Sequence, residues 1–575
     1  MTLSMVRLFA VLRFLFEGGG RLRRTAALLL LIGIVELAAI VSLPVAGGGI
    51  LDALVQGEVN GFRRSLSILL MLTAAQIVLS ASYRLLLVNA EERLGHRIRE
   101  RALRGLFNGP YATFERFGGG DLVHRVVNDA GVLKAAFGGV FLQLTHDLLA
   151  TGAVTILLFR QNVVLALITV AALPISLLVV RHWSGGLETL NRRVKVEMAN
   201  LMNRLQSWVS PALGVRVFSL EERAVTAVAG QSQVLMVASQ EVGALRTKAG
   251  ALSGVFLSLP SVIVFSYGGY QVMSGHLSVG DLFAFVGLSE MFGTPLRRII
   301  GTLTATVPSM LPSLERVQAL LCESTGDAPV QSLPDAVAEL RVEDLSVRVG
   351  ADSASRIVKV PKFRARKGDL TAICGPNGAG KSVFMRALAG LYAHSVQNVV
   401  ALDEEGRQHA VTPRLCAIVP QTAYLFDGSV AQNIAMFGNP DASRLWSVID
   451  AVGIREWISS LPAQVETRVD GALPRCFSGG ETQRISLARA LYQSSARVFL
   501  LDEPTMALDP KAWAILWPII QSLRLRGPVV IVTHEPTLLS ACDRVYEMAP
   551  AGDGSCTLTQ VDRKGSNDGY DQAAL

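Results

Sequence analysis

No cysteine occurs in the first 321 residues of this 575-residue chain. All six (Cys322, Cys374, Cys416, Cys476, Cys542, Cys556) come later, and none forms a C-x-x-C pair. A metal knuckle or a disulfide framework as organising device is thereby excluded, and the expected state is reduced thiols in a cytosolic part. Cys374 and Cys476 flank two glycine-rich motifs, so sensitivity to alkylation is expected there. Charged residues are scarce, 18% against 50% hydrophobic, and the mean hydropathy is +0.39, high for a soluble enzyme. Acids are outnumbered, 47 against 54 Lys and Arg, for a formal charge of +7. The arginine excess sits beside the apolar runs of the first part. It therefore reads as the positive-inside bias of a membrane chain rather than as a nucleic-acid footprint. The length exceeds what one core organises, so two or more domains are expected.

A cleavable leader is the less expected reading of the N-terminus. Arg7, Arg13, Arg21, Arg23 and Arg24 precede an apolar run with no small-residue cleavage site, which predicts an interfacial cytoplasmic helix. Six segments are long or apolar enough to span roughly 30 Å of hydrocarbon. They lie near Thr25–Val45, Ser65–Val88, Leu133–Phe159, Val163–Val180, Ala251–Met273 and Leu282–Met310, the last interrupted by Glu290, Pro295, Arg297 and Arg298. An even count places both termini on one side, and Arg93–Arg104 assigns that side to the cytoplasm. The outer loops are short: Gly47–Phe62, Arg160–Asn162 and Ser274–Asp281.

Glu91–Asp129 and Arg181–Lys248 are polar with helical periodicity, so the helices are expected to continue beyond the bilayer as two hairpins. Their tips fall near Pro110–Phe117 and Ser207–Phe218 and are candidates to touch another domain; a solvated face without a partner is the alternative. Within the apolar runs, Glu36, Arg84, His146, Asp147, Glu290, Arg297 and Arg298 are costly unless they face a cavity or one another. A partly polar path is the functional reading, with Glu36 and Glu290 expected in its cavity. Buried pairing or snorkelling competes for Arg84 and Asp147.

Cys322–Ala338 has linker composition. After it come strand-like runs, Leu340–Val349 and Arg356–Val360, and then Gly375-Pro376-Asn377-Gly378-Ala379-Gly380-Lys381-Ser382. This fits G-x-x-x-x-G-K-[ST] at every fixed position, between an apolar run and a helical one. The glycines allow backbone N–H groups to turn around phosphates, Lys381 supplies a point charge, and the Ser382 hydroxyl can hold Mg²⁺. Downstream, apolar residues 498–501 end in Asp502-Glu503: a buried strand with one carboxylate for the metal and one that can polarise a water. Between them, Phe477-Ser478-Gly479-Gly480-Glu481 is a second phosphate nest at a helix start. One γ-phosphate hardly needs two nests, whereas two chains placed head to tail would use one from each.

At these residues the chain resembles the ATP-binding cassette family. Phe477-Ser478-Gly479-Gly480-Glu481 stands where that family usually has L-S-G-G-Q. Val419-Pro420-Gln421 resembles the Q-loop, Ala507-Leu508-Asp509 the D-loop and Thr533-His534 the switch histidine. Phe114–Asp129 resembles the stretch after the first coupling helix of exporter-type members, and 279–285 the start of their last span. The resemblance implies an all-α six-helix transmembrane domain followed by an α/β P-loop domain. The expected boundaries are 1–321 for the membrane domain, 322–338 for the linker, 339–550 for the cassette and 551–575 for an unordered polar tail. It implies ATP and Mg²⁺ as cofactors: Gly375 to Ser382 cradle the phosphates; Ser382, Gln421 and Asp502 meet the metal; Glu503 is general base; His534 contacts the γ-phosphate. Gln421 also couples to the membrane helices, while Ser478, Gly479, Gly480 and Asp509 serve the nucleotide held by a second subunit. Two departures stand out. Val349 occupies the position where an adenine-stacking aromatic is usual, which puts strict ATP preference in doubt. Gly471-Ala472-Leu473-Pro474 lacks the acid of a G-E-R-G-like stretch, so domain coupling differs in detail.

The implied activity is ATP-driven transport by alternating access, most simply export of an amphipathic small molecule, peptide or lipid. Uptake with the same fold is the alternative, and a membrane-tethered regulatory ATPase or a nucleotide-gated channel stands behind it. Because the membrane part starts almost at once, a leader-cleaving peptidase domain is not expected. Partners implied are the bilayer and a second copy, a heterodimer with a related half-transporter being the alternative, with no nucleic acid. The expected location is a bacterial inner membrane, with the ATPase domain and both termini in the cytoplasm.

Overall fold

The computed structural model describes residues 13–14, 16, 20–322, 334–349, 356–392, 398–469, 477–505, 513–551 and 555–561. The N-terminal Arg7, the stretch 471–474, Cys476 and Asp509 lie outside them. Two compact units emerge: Met1–Arg101 with Arg125–Gln318, and Ala102–His124 with Ala319–Leu575.

The helices, in chain order, are α1 (Gly20–Gln56), α2 (Val59–Asn108), α3 (Ala112–Arg116), α4 (Gln143–Gln161), α5 (Val163–Val209), α6 (Ala212–Val217), α7 (Glu221–Met273), α8 (Val279–Gly301) and α9 (Val307–Cys322). Helical backbone also fills Gly119–Leu142, with π-turns at Arg125–Asp129 and Phe137–Leu142, and Thr302–Thr306 is a third π-turn between α8 and α9. Every expected span falls on helical backbone. Among the described residues, three stretches are long and apolar enough to cross a membrane: Gly20–Gln56, Val59–Asn108 and Gly119–Gln161. At 1.5 Å per residue, the 50 residues of α2 and the 53 of α7 run far beyond the hydrocarbon thickness, as the charged second half of α2 and the charged first half of α7 require.

Local chemistry sets the turns. Asn162, in the short outer turn, accepts from the N–H groups of Val164 and Leu165 and starts α5. Ser278 caps α8 by accepting from Asp281, and the Asp52 carboxylate accepts from Gly280 N and Ser278 Oγ at 2.7 and 2.8 Å. A Cβ on Gly48 would lie 2.3 Å from the Gly280 carbonyl, so α1 and α8 cross at a pair of glycines.

In the second unit the backbone builds one ten-stranded sheet and one two-stranded ladder. The strands are β1 (Glu339–Val349), β2 (Arg356–Arg366), β3 (Leu370–Cys374), β4 (Val399–Leu402), β5 (Gln408–Ala410), β6 (Cys416–Val419), β7 (Gly428–Ser429), β8 (Arg468–Val469), β9 (Val498–Asp502), β10 (Val529–Val532), β11 (Arg544–Pro550) and β12 (Ser555–Gln560). The large sheet runs β5-β4-β1-β2-β12-β11-β3-β10-β9-β6. Its half from β11 to β6 is parallel, and β3, β9 and β10 read as continuous buried apolar runs, as strands covered on both faces do. Helix α10 (Lys381–Leu388) follows β3, with Phe384, Met385, Ala387 and Leu388 buried in the core on one face. Helices α11 (Gly479–Tyr492) and α12 (Trp513–Arg526) contribute to the core on the other.

Two boundaries differ from expectation. The tail expected from 551 onward contains β12, paired in parallel with β2 and antiparallel with β11. Composition pointed the wrong way because a strand between two neighbours gains its stability from the ladder, with only Leu558 and Ser555 buried. The tip of the first hairpin, Ala102–His124, is part of the cassette unit rather than of the membrane unit, because Tyr111 packs against that unit's core.

Candidate functional site

Strand β3 ends at Cys374, and the chain then turns through Gly375 and Gly380, at φ +136° and +98°, before entering α10. Neither position accepts a side chain. A Cβ on Gly375 would sit 2.2 Å from the Met548 carbonyl, and one on Gly380 would sit 2.5 Å from Val358. Lys381 folds back over the loop, donating from Nζ to the carbonyls of Gly375 and Pro376 at 2.8 and 3.0 Å. Burial holds its ammonium below the usual lysine range, against the pull of Glu503 and Asp502.

Asp502, at the end of β9, is 8% exposed, and burial raises its carboxyl above the usual aspartate value despite a hydrogen bond from Ser382. Glu503 follows with φ +46°, a left-handed conformation uncommon for a residue with a Cβ; its N–H donates to Val532 O at 2.9 Å. Gln421 Nε2 donates to Glu503 Oε2 at 2.9 Å, and His534 Nε2 stands 3.7 Å from Glu503 Oε1, near but not hydrogen-bonded.

A cavity of about 390 Å³ is lined by Asn377 to Val383, Gln421, Glu503, Val358 and Cys556. The structure thus brings the glycine-rich loop, Gln421 and Glu503 together, with Asp502 behind Ser382. The signature residues Ser478, Gly479 and Gly480 are not among the lining residues. They start α11, where Ser478 Oγ accepts from Glu481 N and Glu481 Oε2 accepts from Ser478 N. This reciprocal cap is what the variant Glu481 provides. Phe477, the other variant position, packs edge-on against Trp457 at 5.2 Å.

The donor set suits a metal that arrives with phosphates. No cluster of three or more His, Cys, Asp or Glu side chains occurs among the described residues. One hydroxyl and one carboxylate side by side, Ser382 and Asp502, match Mg²⁺, which takes one or two protein oxygens and completes its shell with phosphate and water. No aromatic residue lines the cavity among the described residues.

Several contributors escaped the motif reading. Val358 and Cys556 reach the cavity because β12 pairs with β2. Cys374, expected to be reactive, is turned inward: its thiol donates to Tyr546 O, and burial pushes its pKa up. Arg489, on α11, is 9% exposed and donates to Asn433 O, Asn433 Oδ1 and Tyr424 O, tying the signature helix to the segment after Gln421. Arg489 stands in the last turn of that helix, where a basic residue is ordinary, so its sequence carried no signal of this role.

In the membrane unit, Asp147 is 1% exposed and accepts from Arg298 Nε and Nη2 at 3.0 and 2.6 Å, and from Gln143 at 3.0 Å. His146 Nδ1, at 3.9 Å, is too distant for a hydrogen bond. A cavity of about 430 Å³ is lined by Leu37, Val41, His146, Glu290, Thr294 and Arg298, among others. Glu290 lies in the cavity as expected and Asp147 in a buried pair. Glu36 is half-buried and does not line this cavity, because α1 turns Leu37, Ile40 and Val41 toward it.

The family model for the ABC transporter transmembrane region matches residues 27–296, and that for the ABC transporter matches residues 358–506. A fatty acid ABC transporter ATP-binding/permease protein of Mycobacterium bovis is 27% identical over 84% of this chain and 76% of its own length. A multidrug efflux ATP-binding/permease protein of Mycobacterium tuberculosis is 26% identical over 78% of this chain and 38% of its own length. The chain spans only 30% to 38% of the length of the first curated relatives it matches. Among solved structures, a bacterial Atm1-family ABC exporter with ATP bound shares the fold, with a TM-score of 0.76 over 93% of this chain and 95% of that one, at 18% identity. The chain therefore belongs to the ATP-binding cassette transporters, and joins that family's transmembrane region and its ATP-binding cassette in one polypeptide.

Proposed function

We propose that this chain is half of a homodimeric exporter that hydrolyses Mg²⁺-ATP to move an amphipathic small molecule, peptide or lipid out across a bacterial inner membrane, with its cassette and termini in the cytoplasm. The observation that carries this reading is the divided site. Lys381, Ser382, Gln421 and Glu503 gather at one cavity, while Ser478 and Gly480 cap a helix that does not line it. A second copy facing head to tail would supply Ser478 and Gly480 to this cavity and take the same residues in return. The relatives' printed names, a fatty acid transporter and a multidrug efflux protein, fit an amphipathic cargo.

In the proposed chemistry the backbone N–H groups of the loop and Lys381 would hold the β- and γ-phosphates, and Ser382 and Asp502 would hold Mg²⁺, whose chemistry there would be to supply positive charge against the phosphates. Glu503 accepts the proton of the attacking water, with Gln421 fixing its carboxylate and His534 beside it. Because Asp502 keeps its proton more readily than an ordinary aspartate, acidification would weaken Mg²⁺ binding at a higher pH than for an exposed carboxylate.

ATP turnover by the purified chain in lipid nanodiscs, beside Glu503→Gln, tests the proposal. The variant is expected to bind ATP and to turn over at least ~100-fold more slowly. A folded, nucleotide-binding wild-type chain with no activity would overturn the homodimer and point to a missing partner subunit.

A further inference from the structure

The cavity of about 430 Å³ in the membrane unit has two kinds of wall. Leu37 and Val41 on α1 and Ala150 and Val154 on α4 are buried members of one apolar cluster, and all four line the cavity. The polar wall comes from Glu290, Thr294 and Arg298 on α8, with His146 on α4. That volume lies in the range of pockets that enclose a drug-sized molecule, and an apolar box with a few placed polar groups is their common composition.

The charges on the polar wall do not cancel. Arg298 is committed to Asp147: Nε and Nη2 both donate to that carboxylate, which is 1% exposed. A buried acid held by a guanidinium at two points presents little net charge to a third group. Glu290 is exposed on the wall and has no hydrogen-bond or ion-pair partner among the described residues. It precedes Arg298 by about two turns of α8, or ~12 Å along the axis, too far for that guanidinium to answer it. Arg297 donates to Thr294 Oγ1 at 3.4 Å, does not itself line the cavity and makes no ion pair with Glu290. His146 adds charge only when protonated. A carboxylate in a mainly apolar site with no cation of its own favours a guest that brings one.

We propose that this cavity binds a cationic amphiphile, its charged head beside Glu290 and its apolar body against Leu37, Val41, Ala150 and Val154. The site discriminates by sign: an anion of the same shape meets the Glu290 carboxylate without compensation and finds Arg298 already held by Asp147. Glu290 is the residue that sets specificity, and Asp147 is a positioning residue that acts through Arg298. The proposal rests on the reading of the chain as a transporter of amphipathic cargo and narrows that cargo to one charge class.

The probes are tetraphenylphosphonium and tetraphenylborate, ions of nearly one shape and opposite sign. Their binding to the full-length chain in nanodiscs is measured by equilibrium dialysis at pH 8, above the ordinary imidazole range, with empty nanodiscs to subtract uptake by the lipid. Wild type is expected to bind the cation at least ~10-fold more tightly than the borate, the discrimination one charge supplies at a partly solvated site. Glu290→Gln is expected to bring the two ions within ~3-fold of each other, Glu290→Asp to keep the preference, and Glu290→Lys to invert it. If the lysine variant does not fold, the glutamine and aspartate variants decide between them. Equal binding of the two ions by wild type, tighter binding of the borate, or no binding of either overturns the cation site, as does a folded Glu290→Gln chain with the wild-type ratio. Transport is read separately, from ATP-driven accumulation of tetraphenylphosphonium in inside-out proteoliposomes. Binding of the expected sign with no accumulation would overturn export and leave the cation site standing.

Discussion

The two hairpin tips begin alike, as helices of five and six residues between long charged helices, and their surfaces are unlike. On the first, Thr113 is buried, Tyr111 packs against the cassette core, and Glu115 accepts from Arg386 Nη1 and the Tyr392 hydroxyl at 2.7 and 2.6 Å. On the second, Leu213, Val217 and Phe218 are 79%, 66% and 73% exposed. Large apolar side chains clustered on a polar hairpin far from the apolar spans mark a surface that awaits cover. A second copy of the chain, which the homodimer proposal calls for at the nucleotide site, is the occupant that the same proposal names here. On that proposal, the first tip is a matter of folding and the second a matter of assembly.

That distinction can be broken. Charging the second tip with Leu213→Asp and Phe218→Asp is expected to cut ATP turnover in nanodiscs by up to ~100-fold, since a contact that assembles the catalytic pair is lost. The same change should leave the denaturation midpoint of the single chain within about 0.5 kcal/mol, as exposed substitutions do; a large loss of stability would mean that this tip is also an intramolecular contact. The mirror experiment is Tyr111→Ala on the first tip, expected to cost about 1–2 kcal/mol in a chemical melt of the chain, the price of removing a half-buried aromatic. A neutral Tyr111→Ala would place the first tip in the same class as the second.

The smallest effect comes from pH. Tyr392 holds its proton more tightly folded than unfolded, so its contribution to stability is complete below the ordinary tyrosine value near 10 and fades only as pH rises through the higher folded value. Alkaline titration should therefore loosen the first tip only above about pH 10, and Tyr392→Phe should abolish that step. The second tip carries no such group in Leu213, Val217 or Phe218, and its exchange should follow the intrinsic rate across the same range. Loosening of the first tip well below pH 10 would show that another group governs it.

How much of this was legible in sequence depended on the distance between partners. The loop Gly375–Ser382, the pair Asp502-Glu503 and Gln421 were visible because each motif fixes its chemistry within a few residues, and the structure gathers them at one cavity. The apolar spans were visible for a similar reason, since the length of a run is a local property. The pairing of Glu115 with Arg386 joins residues 271 positions apart, and neither residue type is unusual on a helix. Asp147 and Arg298 were both suspected from their costly surroundings, yet their mutual pairing depended on how helices pack. Strand β12 was missed because its polar composition outweighed a short alternation, whereas in the fold its backbone fills a slot between β2 and β11. With that strand came Val358 and Cys556 as cavity walls, a consequence of strand order that no local window contains.

The left-handed backbone of Glu503 has an implication for how this chain can change. A side chain at φ +46° carries a conformational cost of order 1 kcal/mol or more that glycine or asparagine would relieve. Variants selected only for thermal endurance would therefore drift away from glutamate at this position, gaining robustness and, on the proposed role of Glu503 as base, losing turnover. Retaining the carboxylate there means keeping a residue that the fold alone would exchange.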